Sequence, residues 1–350
     1  MLKQDLVYKQ KDCLGLDIGT SSIKIVQLKK KKTLTKLVGY ESCILPENII
    51  IEGIISEPEK LAKLIGDIMN DTKEGKFTAK KVIASIPDAN VFTRVLEMPP
   101  LSNKDLKEAV MWETDQSIPM AVTDLVVDWQ VLGPSITKKG MNDILLVGAP
   151  RAIVNSYVQF FDKLGLQPEA IETGLVSVVR ALVSNKERNE VMLVVDIGSR
   201  STNLGFYDHT LRLADSLDIG GLDFTSLIST ETKVDFKKAE EMKVRLGLKD
   251  KKVQSALEST LDNLKNEMQK VIKYHDERNE TKTSKVVLCG GSSNLVGLTE
   301  YLAEALKIEV KVGNPWVNID TYPLKPVPKA IAPAFANAIG LSLRAMEINL

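Results

Sequence analysis

Apolar and polar positions fall into the same order twice along the chain. Leu14-Gly15-Leu16-Asp17-Ile18-Gly19-Thr20-Ser21-Ser22-Ile23-Lys24-Ile25-Val26 reads as an apolar strand ending in Asp, then Ile-Gly, a hydroxyl-rich turn and a second strand. About half a chain later, Leu193-Val194-Val195-Asp196-Ile197-Gly198-Ser199-Arg200-Ser201-Thr202-Asn203-Leu204-Gly205 repeats the pattern. Each copy runs into a third strand, over residues 36–45 in the first and 211–219 in the second. Internal similarity of this kind predicts a duplicated unit, one per half.

Between the copies the period changes. Residues 58–72 place Leu61, Leu64, Ile65 and Ile68 on one helix face. Residues 80–170 read as an insert of their own. It has strands over 82–87 and 91–98, then a helix to about Ser117 capped by Ser102 with Asp105 at its third position. Strands over 124–132 and 143–148 follow, and a helix over 151–164 stopped by Gly165. The second half carries helices over 236–246 and 251–275, the latter with Val253, Leu257, Leu261, Leu264, Met268, Val271 and Ile272 on one face. A strand over 285–289, the Gly290-Gly291 turn, a helix, a strand over 310–312 and a Pro-rich loop over 315–333 lead to a last small-residue helix over 334–346. The fold class is α/β.

Length and charge narrow the function. The 350 residues leave room for two domains, each able to bury a core. Lys+Arg and Asp+Glu both number 46, which gives no support for nucleic acid as a general partner, since such binders carry a surplus of cations. The run Lys29-Lys30-Lys31-Lys32 sits between apolar stretches and reads as a solvated turn. Cys13, Cys43 and Cys289 are odd in number and far apart, against a disulfide framework or a zinc site and for a reducing, cytoplasmic setting. Residues 1–12 show no signal-peptide core, and no apolar run approaches the roughly 18 residues that span a bilayer. No direct membrane insertion is therefore expected, and membrane association runs through a partner.

The repeated turns carry the candidate chemistry. Asp17 at a strand end can hold the water shell of Mg²⁺. Gly19 lets the backbone approach a phosphate. Thr20, Ser21 and Ser22 offer hydroxyls and N–H groups to phosphate oxygens, and Lys24 can reach them as a point charge. Asp196, Gly198, Ser199, Ser201 and Thr202 repeat the set. One Asp-x-Gly-Thr/Ser turn is an ordinary hairpin, but two in matching positions of a duplication are a strong signal. Gly220, Gly221 and Asp223 can open a helix toward an anion or form a plain strand-to-helix cap. Gly290, Gly291 and Ser292 leave room for a flat base, or make an ordinary turn.

In this order the motifs resemble the actin/Hsp70 ATPase fold, a duplicated ribonuclease H-like architecture, and the 80–170 insert resembles the extra subdomain of FtsA. Met98-Pro99-Pro100-Leu101, Trp112-Glu113, Gln116-Ser117-Ile118-Pro119, Val147-Gly148-Ala149-Pro150, Leu164-Gly165-Leu166 and Ala338-Ile339-Gly340-Leu341 are similar to the PilM family of type IV pilus platform proteins. The resemblance covers roughly residues 12–345. It implies a tail over 1–11, subdomain 1A over 12–80 and 171–190, an FtsA-like subdomain 1C over 81–170, subdomain 2A over 191–235 and 281–345, subdomain 2B over 236–280, and a tail over 346–350.

The resemblance also implies ATP or ADP with Mg²⁺ between the halves, Asp17 and Asp196 facing the metal mostly through water, and Gly220, Gly221 and Asp223 beside the nucleotide. Gly290, Gly291 and Ser292 would flank the adenosine, and Glu240 and Lys243 would cover ribose and base, unless they are a solvated helix face. Glu172 is the catalytic candidate for positioning a water, or else a cap or surface carboxylate. His209 and His275 read as structural, and Trp112, Trp129 and Trp316 as core or interface anchors. Turnover is expected to be slow or absent. The implied partner is the N-terminal cytoplasmic segment of PilN, with an Ile-Asn-Leu-Leu-Pro-like motif, in a groove of subdomains 1A and 1C. Other pilus platform or motor proteins and self-association are further implied partners. The site would be the inner face of the cytoplasmic membrane. Ile348-Asn349-Leu350 matches the start of that motif, so the C-terminus is either a frayed end or an occupant of such a groove.

Two other functions compete. An FtsA-type filament protein needs an amphipathic membrane helix, and the last helix here lacks a basic polar face. A sugar kinase needs a carboxylate base that no further Asp motif supplies.

Overall fold

The computed structural model describes residues 12–279 and 281–346. The tail reading over Ile348-Asn349-Leu350 lies outside the described residues. The first half opens with β1 (Cys13–Ile18), β2 (Ser22–Lys31) and β3 (Leu34–Ile44), an antiparallel meander. A small hairpin, β4 (Ile50–Ile51) with β5 (Ile54–Ile55), leads to α1 (Pro58–Asn70) and the short β6 (Glu74–Gly75). β7 (Lys81–Ile86) runs parallel to β1. β1 is buried along its whole length, as a central strand should be.

The insert is smaller than its sequence limits. β8 (Phe92–Met98), α2 (Asn103–Ser117), β9 (Leu125–Pro134) and β10 (Asn142–Pro150) form it, with sheet order β8-β10-β9. Its own core is Leu96, Met98, Leu106, Val110, Ile144 and Leu146. The Ser102 hydroxyl accepts from Asp105 N, the expected cap. β7 and α3 (Arg151–Leu164), placed in the insert by sequence, belong to the first half. β7 pairs with β1 and with β11 (Gln167–Thr173), and Ile153, Tyr157, Phe160 and Phe161 of α3 pack with Leu14, Val82 and Leu61. The periodicity was right there, but sequence cannot say which sheet a strand joins.

After α4 (Gly174–Leu182), the second half repeats the meander as β12 (Val191–Ile197), β13 (Thr202–Asp208) and β14 (Thr210–Leu217). Helices α5 (Gly221–Thr232), α6 (Phe236–Arg245) and α7 (Lys251–Asp276) follow. Then come β15 (Lys285–Cys289), α8 (Leu298–Leu306), β16 (Glu309–Val312) and α9 (Ala336–Arg344). Sheet order is β14-β13-β12-β15-β16. The apolar face of α7 shares one continuous core with β12 and β15, so, among the described residues, 236–279 have no core separate from the second sheet.

Two helices interlock the halves. α4, arriving from the first half, lays Leu175, Val178 and Leu182 on Met192, Val194 and Val287 of the second sheet. α9, ending the second half, lays Ala338 and Ile339 on Val26 and Leu28 of the first. They cross so closely that a Cβ on Gly340 would stand 1.8 Å from Ser177 O. Fully burying each such Leu, Ile or Val contributes about 1.5–3 kcal/mol. Each half is thus roofed by a helix from the other, and the cleft between them has a fixed floor.

Candidate functional site

Both Asp-Ile-Gly turns open onto one cleft of about 590 Å³ between the halves, a volume typical of small-molecule sites. The turns match in backbone geometry. Gly19 N donates to Ser22 O at 3.1 Å, and Gly198 N donates to Ser201 O at 2.9 Å. The Thr20 and Ser199 hydroxyls meet across the cleft at 2.6 Å. Asp17, Gly19, Thr20, Ser21, Ser22, Lys24, Asp196, Gly198, Ser199 and Ser201 all line it, as do Gly221, Glu240, Lys243, Gly290, Gly291 and Ser292.

Close-packed glycines build the second wall. Gly290 has φ 83°, and a Cβ there would stand 2.4 Å from Asp196 Oδ1. A Cβ on Gly221 would meet the Ser292 hydroxyl oxygen at 2.1 Å, whereas one on Gly291 would meet nothing within 4 Å. Ser292 Oγ donates to Gly198 O at 3.1 Å. Lys243 is buried and reaches across from α6, donating to Gly221 O at 2.8 Å and Thr225 Oγ1 at 2.7 Å, with Glu240 at 2.7 Å. Phe236, Val244 and Ile331 line the cleft while remaining about half exposed, a ready apolar surface for a flat ring.

The electrostatics of the floor are unbalanced. Asp17 faces Lys24 Nζ at 3.4 Å and accepts from Asn337 Nδ2 at 2.9 Å. Burial, and next the negative charge of Asp17, push the Asp196 carboxyl up to about 6, against the pull of Lys24 and the Cys289 thiol. Asp88 is the third carboxylate. Its Oδ1 accepts from Leu175 N at 3.2 Å and its Oδ2 from Asn203 Nδ2 at 3.3 Å. Burial foremost, with Asp196 and Asp17 adding repulsion, pushes it up to about 7 despite the N–H groups of α4. Three carboxylates against Lys24 leave net negative charge in a poorly hydrated place, which a divalent cation would neutralise. Among the described residues no three ligating side chains are close enough to clasp an ion directly. A cation here would keep waters between itself and the carboxylates, as Mg²⁺ does.

Four expected residues stand elsewhere. Thr202 is fully buried, its hydroxyl donating to Ile219 O at 2.7 Å. Gly220 lies behind the wall against Ser199, and Asp223 turns back to accept from Gly220 N at 2.8 Å as a helix cap rather than toward a ligand. Glu172 is not in the cleft. Arg180 grips it with two bonds of 2.7 and 3.2 Å, and Arg344 also donates to its Oε2, so it ties β11, α4 and α9 together. A carboxylate held by two guanidiniums is a poor water-positioning group, which corrects that expectation. His275 is structural, stacked on Phe206 at 4.1 Å and 3.3 Å from Asp208. Trp316 is buried, whereas Trp112 is 63% exposed and anchors no core.

Two interlocked sheets around one cleft, each contributing an Asp-Ile-Gly turn, define an actin-like ATPase fold. The family model described as type IV pilus assembly protein PilM matches residues 15–346, and the chain belongs to that family. It is similar to a solved PilM-PilN type IV pilus biogenesis complex, at 26% identity and TM-score 0.85 over 97% of this chain and 100% of that one. Cell division protein FtsA of Streptococcus pneumoniae is 23% identical over 394 residues, 96% of this chain and 81% of that protein. MreB 5 of Spiroplasma citri bound to AMPPNP shares the fold at 12% identity and TM-score 0.56, over 96% of each chain.

Proposed function

We propose that this chain is a cytoplasmic actin-like scaffold of type IV pilus assembly that holds an adenine nucleotide with Mg²⁺ between its halves and receives the N-terminal segment of a PilN-like membrane protein. The observation that carries the nucleotide reading is the pair of matched Asp-Ile-Gly turns on one cleft whose floor carries excess negative charge. Gly19 to Ser22, Gly198, Ser199 and Ser201 would hold phosphates through N–H groups and hydroxyls. Asp17 and Asp196 would hold the waters of Mg²⁺, which when bound neutralises phosphate charge. Gly290, Gly291 and Ser292 would flank adenosine, with Glu240 and Lys243 over the ribose.

Membership of the family and likeness to a PilM bound to PilN support the partner. The groove would lie between the first half and the 92–150 insert, and the chain would work at the inner face of the cytoplasmic membrane through that partner. Slow turnover fits the site, because Glu172 is neutralised and Asp88 is committed to the N-terminus of α4. A pull-down from membranes with purified chain, with and without Mg²⁺·ATP, tests the reading. Capture of a PilN-like protein is expected, and its absence under both conditions would refute the partner.

A further inference from the structure

The lysine run at the β2–β3 turn is not used by the fold. β2 and β3 pair Lys29 directly with Lys36, a like-charge pair that costs stability. Each of these two finds an acid, Lys29 with Asp12 at 3.1 Å and Lys36 with Asp320 at 3.0 Å. Lys30, Lys31 and Lys32 have no carboxylate within ion-pair distance among the described residues. Lys32 makes the tight turn at φ 58°, and Leu34 beside it is 53% exposed. Leu34, exposed at the tip of the hairpin and paired across the strands with Lys31, does nothing for a solvated turn.

The neighbourhood adds cations on one side. Thr78 and Ala79 are tied to Gln27 through its side-chain oxygen at 2.8 and 3.2 Å, which brings the exposed Lys80 to the same end of the sheet. The chain enters β1 here, where Asp12 meets Lys29. Net charge over the whole chain is zero, so this face is a local excess. β2 is ten residues long, so its tip stands roughly 30 Å from the Ser22 end that lines the cleft. Contact at the tip leaves the cleft open.

We propose that the tip of the β2–β3 hairpin, Lys30 to Leu34, docks onto an anionic lipid bilayer. Charge complementarity selects the occupant: lysines near an anionic bilayer are each attracted by phosphate headgroups, and Leu34 reaches the interfacial zone as a single apolar contact. No helix among the described residues is long and apolar enough to cross a membrane, so the contact lies on the surface. One such contact is weak alone, and acts as the second of two attachments when a membrane partner supplies the first. The nucleotide reading is not needed for it.

The test is sedimentation of the full chain with vesicles of neutral phosphatidylcholine and with vesicles containing about one-third phosphatidylglycerol. Binding is expected to the anionic vesicles alone and to fall steeply with salt. Lys30→Gln/Lys31→Gln/Lys32→Gln should weaken it about a hundredfold, and Leu34→Ser by less than about tenfold. Melting curves of the variants should match the parent. Equal binding to both vesicle types, or unchanged affinity in the triple variant, would overturn the proposal. So would tighter binding of duplex DNA through the same lysines at equal salt, which would make this a nucleic-acid surface.

Discussion

The two Asp-Ile-Gly loops share a backbone and differ in the residue that faces each carboxylate. In the first half the register sets Asp17 opposite Lys24, and in the second it sets Asp196 opposite Asn203. Lys24 turns to Asp17, while Asn203 turns away to Asp88. One loop therefore carries its own counter-charge and the other does not. Duplication preserved the hairpin geometry that brings N–H groups to a ligand, because Gly19 and Gly198 fix it locally. The charge balance diverged, because one cross-strand position changed. The second loop and Asp88 are left to be neutralised from outside.

Breaking the second loop alone should have the largest effect. Gly290→Ala forces a Cβ into a left-handed backbone and to 2.4 Å from Asp196 Oδ1. We expect a loss of about 2–4 kcal/mol, read as a lower urea midpoint. Gly291→Ala, whose Cβ meets nothing within 4 Å, should stay within about 0.5 kcal/mol of the parent and weaken nucleotide binding instead.

Next come the aspartates themselves. Asp17→Asn leaves Lys24 without its carboxylate and should cost about 1–2 kcal/mol of stability. Asp196→Asn removes a buried, repelled carboxylate and should be neutral or stabilising. Equal destabilisation by both in chemical denaturation would erase the asymmetry.

The pH dependence sharpens it further. Asp88 and Asp196 are raised from 3.8 to about 7 and about 6 in the folded state, so the folded protein holds more protons than the unfolded chain between those values. Their contribution to stability is most favourable below pH 3.8 and declines as pH rises through 6 and 7. Glu187, where burial is outweighed by the combined bonds to Lys285, Lys311 and Ser184 that draw it down to about 2, acts oppositely and loses its contribution as pH falls from 4.5 toward 2. The ligand-free protein should thus melt at a lower temperature at pH 8 than at pH 5.5, and Asp88→Asn should flatten that slope. The exposed Thr20–Ser199 contact adds little, and Thr20→Ala should cost at most about 0.5–1 kcal/mol.

The duplicated turns were legible in the sequence because a repeat is visible without any fold. Asp88, Asn203 and Asn337 were not. Asn203 and Asn337 are single polar residues in elements read for their apolar period, Asp88 falls in the turn between two strands, and each reaches the floor only through tertiary placement. Asn203 did leave a trace, since it occupies the position that Lys24 holds in the first copy. Glu172 was the candidate for positioning a water, but nothing local revealed that Arg344, far along the chain, would close over it. The insert's limits failed for the same reason, as β7 and α3 keep their predicted form while joining another core.

Calorimetric titration of the chain with ATP, with and without Mg²⁺, in the parent and in Asp196→Ala, tests the central claim most directly. We predict binding that depends on Mg²⁺ in the parent and its loss in a variant that melts like the parent. Parent-like affinity in Asp196→Ala, or binding indifferent to Mg²⁺, would contradict a nucleotide site built on the second loop.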